Sequence, residues 1–186
     1  MNLTEMITAV RNNLNAEGIT EMFSDANITE WLNAGLSAVA SRIPPQTMPD
    51  LQQVATGTAA SVALPADYFR GVALLLATRK VPLILPTDGG YDPGETDFWA
   101  EHFGLLWGNT ITFYPVGSVA YTLYYLSAPA DMSAGSPDPE IPDMFHYAVV
   151  CYATFLGASK DKRLRTQYLE LFHELVGAGG GNNERP

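Results

Sequence analysis

From Phe103 to Ala130 the chain carries not one Asp, Glu, Lys or Arg. Such a silence limits the folds available, because an uncharged run rich in Tyr, Leu and Val has to find cover. Inside it, "NTITFY" and "VAYTLYYL" flank Pro115–Ser118 and read as a β-hairpin. In the second strand Tyr121, Leu123 and Tyr125 fall on one face, Tyr124 and Leu126 on the other. An antiparallel strand of a lone subunit commonly keeps one face wet. Apolar residues on both faces therefore point to two covers. The chain's own helices supply one. The expected second is a neighbouring subunit or partner, which makes Tyr121, Tyr124 and Leu126 candidate interface residues. A fully internal sheet in a compact monomer competes with this reading, since tyrosine tolerates exposure.

Helical signals lie on either side. Leu3, Met6, Ile7, Val10 and Leu14 share one face of a helix over 3–14. "FSDANITEWLNAGLSAVASRIPP" gives a second over 27–43. Ser24 or Asn27 can cap it, Ile28, Trp31, Leu32, Leu36, Val39 and Ile43 form its stripe, and Pro44 and Pro45 stop it. Residues 44–60 read as polar and irregular. The middle then changes period: "SVALP", "GVALLLAT" and "VPLIL" are β-compatible, "TDGGYDPGET" is a loop, and "DFWAEHFGLL" is a short helix candidate. A linker over 127–143 with four prolines leads to helices over 142–158 and 161–176. The expected architecture is α+β but mainly α. It has about four helices in a bundle, a β-rich insertion over about 60–127 holding a hairpin or small antiparallel sheet, and a flexible glycine-rich tail over 177–186. Residues 1–176 are expected to form a single domain.

With 186 residues, 47% hydrophobic and 16% charged, the chain suits one domain with a real core. Twenty acidic against ten basic residues give a formal net charge of −10, the wrong sign for a free-standing nucleic-acid binder. Cys151 is the sole cysteine, so an internal disulfide is excluded and a buried thiol is expected. The N-terminus does not read as a signal peptide, and the apolar run 144–159 falls short of the roughly 20 residues of a membrane helix. A protein made and used in cytoplasm, without membrane contact, is the expectation.

Chemistry-bearing motifs are scarce. His102, His146 and His173 are scattered and form no metal-ligand spacing. No nucleophile elbow, phosphate loop or dinucleotide fingerprint occurs, so neither a cofactor nor a catalytic residue is assigned. Asp88, Asp92, Glu95, Asp97 and Glu101 cluster near Trp99 and Trp107. This is read first as a solvated acidic loop, with a small carboxylate-driven hydrolase as the alternative. Lys160, Lys162, Arg163 and Arg165 hold four of the ten basic residues within six positions. Either they are a solvated turn aiding the end of the preceding helix, or they contact an acidic protein or phosphate.

In order and spacing, four segments together resemble tailed-phage head-to-tail adaptor (connector) proteins. They are "FSDANITEWLNAGLSAVASR" (23–42), "LPADYFRGV" (64–72), "ITFYP…YTLYYLSAP" (111–129) and "IPDMFHYAVVCYATFLGASKDKRLRTQYLELFHEL" (141–175). The resemblance implies a non-enzymatic virion protein, assembled in host cytoplasm. Its copies would form a ring, commonly twelvefold, at the neck, under the portal. They would contact one another, the portal protein and a tail or nozzle protein. Genomic DNA would pass through without specific binding. It also implies a C-terminal segment that reaches the portal, which adds Asn182, Asn183 and Arg185 to the candidate contacts. Another neck component, a stopper or tail-completion protein, is the runner-up.

Overall fold

The structure is a computed structural model, and it describes residues 1–15, 23–85, 102–135, 138–159 and 161–178. These fall into two compact units. One contains described residues of Met1–Asp50 and Pro129–Pro186, the other Leu51–Ala128.

The first unit is helical. Helix α1 is Leu3–Asn13, α2 Asp25–Ala40, α3 His146–Gly157 and α4 Lys162–Ala178. Each start has a local cause. Asn2 and Glu5 form a reciprocal capping box at α1, at 2.9 and 3.0 Å. Ser24 Oγ accepts from the Asn27 N–H, so α2 opens two residues before the start expected from Asn27. A 3₁₀ turn over Asp143–Phe145 feeds α3 in place of regular helix. Met6, Val10, Ile28, Leu32, Leu36, Val39, Phe145, Val149 and Phe172 are fully or almost fully buried. Each contributes about 1.5–3 kcal/mol against exposure. Helices α2 and α3 approach closely at Gly35, where an added Cβ would lie 2.8 Å from the Val149 carbonyl oxygen.

Polar contacts fix what surrounds this core. The Arg11 guanidinium pairs with Asp25 and donates to the Phe23 carbonyl, joining α1 to the start of α2. The Asn33 amide on α2 bonds both backbone groups of Met132, at 3.2 and 2.8 Å, and holds the chain ahead of α3. His146 is 1% exposed. The Ile141 carbonyl can only accept, so His146 Nε2 carries the proton there (3.0 Å), and Nδ1 accepts from the Met1 amino group at 2.7 Å.

The second unit is a β-sandwich. Strands β1 (Gln52–Ala59), β3 (Tyr68–Leu76), β4 (Arg79–Val81) and β8 (Val119–Ser127) form one sheet, in the order β1-β8-β3-β4. Strands β2 (Ser61–Ala63), β5 (Leu83–Ile84), β6 (Phe103–Trp107) and β7 (Thr110–Tyr114) form the other, in the order β2-β7-β6-β5. Pairing is antiparallel except between β5 and β6. The inner faces meet through Leu74, Leu76, Val81, Leu123 and Tyr125 from the first sheet and Ile111 and Phe113 from the second. Gly104 makes this approach possible, since a Cβ there would collide with Leu74.

The expectation of a mainly α fold is thereby overturned: among the described residues, two four-stranded sheets stand beside the four helices. Two segments account for much of the difference. Residues 52–59, read as polar and irregular, form an edge strand paired along its whole length with β8. Residues 103–106, read as the end of a short helix, fall in β6.

Candidate interaction surface

The expected hairpin does not form: β7 belongs to the second sheet and pairs with β2 and β6, whereas the uncharged strand β8 lies inside the first sheet, between β1 and β3. Strand alternation sends Tyr121, Leu123 and Tyr125 inward. Tyr121 is half-buried, with its ring over Gly57 and 5.3 Å from Phe113. Tyr125 is 7% exposed, stacks on Tyr68 at 5.7 Å, and donates its hydroxyl to Asp67 at 3.1 Å. Burial, then the Asp67 hydrogen bond and charge, hold the Tyr125 phenol above its ordinary pKa.

The opposite face of this sheet presents a row across three strands. Val54 on β1 is registered with Tyr124 on β8, and Tyr124 with Ala73 on β3. The β3 ladder shifts register beside Ala73, and Val72 stands exposed there. Val54 is 55% exposed, Val72 43% and Tyr124 40%. The next row is Thr56, Thr122 and Leu75. The first row carries no ionised group, and the second reaches one only on β4, where Lys80 is registered with Leu75. Of the three β8 residues expected to meet a neighbour, Tyr124 offers surface, Tyr121 is turned into the sandwich, and Leu126 is fully buried.

The basic cluster occupies a different position from the one expected of a helix end. Lys162, Arg163 and Arg165 lie in the opening turn of α4 and are exposed. A helix start carries partial positive charge, so cations there are electrostatically unfavourable. Asp161 offsets this by accepting from the Arg163 and Leu164 N–H groups, each at 3.0 Å. Arg165 lies 4.7 Å over the Phe155 ring, a cation–π contact that gives it a packing role. Among the described residues, Lys162 and Arg163 make no ion pair or ring contact.

Lys160, Asn182, Asn183, Arg185 and the acidic loop 88–101 lie outside the described residues. His102 and His173 are exposed, apart from buried His146. Among the described residues no cluster of three metal-ligating side chains occurs, and no helix is long and apolar enough to cross a membrane. Cys151 is fully buried, and burial pushes its thiol up to about 12.

Sequence reasoning missed several exposed apolar positions, Trp107 and Val72 among them. Trp107 is 70% exposed on the β6–β7 hairpin, and Val72 flanks the register shift. Its helical spacing from Phe98, Trp99 and Phe103 makes Trp107 look like a core aromatic on sequence alone. The Gly108-Asn109 turn signal behind it could have identified the hairpin tip.

Residues 1–185 match the family model of the SU10 adaptor protein. The chain belongs to this family of phage head-to-tail adaptors. It is accordingly a structural bacteriophage protein that acts with other head or tail proteins. A comparison with curated proteins finds no match.

Proposed function

We propose that copies of this chain form a ring at the virion neck that joins the portal to the tail and continues the DNA channel. The observation that carries this reading is the family match across 1–185. The surface chemistry supports it. A formal charge of −10 per copy, repeated around a ring, favours a wall that repels DNA, so the genome slides without specific binding. The charge-free row Val54–Tyr124–Ala73 suits copy-to-copy burial, and head-to-tail contacts close into rings when the rotation permits. Lys162 and Arg163, set against their own helix dipole, suit an acidic surface of the portal or tail protein. No membrane takes part, assembly occurs in host cytoplasm, and the protein transforms no substrate. Particles assembled without this chain should retain DNA-packaging heads and lack joined tails. Tailed, infectious particles made in its absence would overturn the proposal.

A further inference from the structure

The sandwich unit exposes both a projecting tryptophan and an apolar-walled cleft. The knob is Trp107, at the end of β6 beside a tight turn in which Gly108 has φ +56. An exposed tryptophan is a costly surface, and tryptophans are enriched among residues that dominate interfaces. The hole is a cleft of about 400 Å³ in the same unit, walled by Tyr68, Val72, Lys80, Leu83, Leu85 and Leu106, among others. Val72 and Leu85, on its walls, are each 43% exposed.

A single chain cannot join the two. Leu106 packs toward the sandwich core and lines the cleft. Trp107 is the next residue on the strand, so its side chain leaves by the other face of the sheet. Charge selects the occupant. Two copies at −10 each repel, which favours contact through surface poor in carboxylates. Trp107 sits in the uncharged run 103–130, and among the described residues the one charged side chain on the cleft wall is Lys80, a cation suited to the electron-rich face of an indole.

We propose that Trp107 of one copy seats in the cleft of a second copy of this chain. The contact is head-to-tail, so every added copy leaves one knob and one cleft free until the chain of copies closes. Trp107 alone would bury about 150–250 Å², short of the roughly 1,200 Å² of a stable interface. The remainder comes from the Tyr124–Val54 row, which Val72 links to the cleft. This inference rests on the ring reading above and names its contact.

Sedimentation velocity of the full chain over a concentration series tests it. Wild type is expected to self-associate. Trp107→Ala, a surface change, and Leu85→Glu, which places a carboxylate on the cleft wall, should each weaken association about 30-fold or more. Val72→Glu repeats the cleft test at a second position, and thermal melts confirm folding. A mixture of Trp107→Ala with Leu85→Glu should give a species of two chains that neither forms alone, because each variant retains the half the other lacks. Wild type that stays monomeric, variants that associate like wild type, or a mixture without the pair would overturn the contact. Rings seen at the virion neck with Trp107→Ala in place would sink this contact while leaving the ring reading intact.

Discussion

Reversing charge at the start of α4, with Lys162→Glu and Arg163→Glu together, should raise stability and lower function. The helix begins at Lys162, and both side chains are exposed in its opening turn. A cation there opposes the helix dipole by about 0.3–1 kcal/mol, and an anion gains a similar amount. Two such reversals come to about 1–2 kcal/mol after allowance for salt screening and repulsion from Asp161. For a chain of this size that raises Tm by roughly 2–8 °C. The assay is a thermal melt followed by circular dichroism, at low and high salt, beside the yield of tailed particles. The account predicts a higher melt that falls back with salt, and fewer joined particles. A double variant less stable than wild type would refute the dipole argument and make the cations structural. Unchanged particle yield would refute their role in docking.

Gly35→Ala and Gly177→Ala should differ in sign. At Gly35 the new methyl meets the Val149 carbonyl oxygen at 2.8 Å, and overpacking at about 1–3 kcal/mol exceeds the gain of up to about 1 in helix propensity. At Gly177, in the last turn of α4, nothing lies within 4 Å, so the propensity gain survives; urea midpoints separate the two. Alkaline titration should unfold the protein. The buried Cys151 thiol is pushed up to about 12, whereas an unfolded thiol titrates near 8.5. Its contribution is therefore complete below about pH 8.5 and is lost as pH climbs to about 12. Tyr68 and Tyr125, also raised, act in the same direction. Maleimide should leave Cys151 unmodified at neutral pH in the folded chain and label it in urea, and rapid labelling of the folded chain would contradict its burial.

The helices were legible because their signals are local. Ser24, the Ile28–Leu32–Leu36–Val39 stripe and the double proline each act within a few residues. The sheets were less so. Strand β1, "QQVATGTA", is an edge strand exposed along most of its length, and nothing in its own residues alternates. It is a strand because β8 offers a ladder seventy residues away. Strand β6 is hidden in the helix candidate "DFWAEHFGLL", since Phe98, Trp99, Phe103 and Trp107 fit a helical spacing. Phe103, Leu105 and Trp107 equally fit a period of two, and pairing with β7 decides between them. The interface residues fared unevenly for the same cause. Alternation separates the two faces of β8 correctly, but only the packing of neighbouring chain decides that Tyr124 stays open and Leu126 does not.

Electron cryomicroscopy of the virion neck tests the central claim most directly. The account predicts a closed ring between portal and tail, into whose repeating density both the helical unit and the β-sandwich fit. Portal and tail in direct contact, with no density for this chain between them, would contradict it.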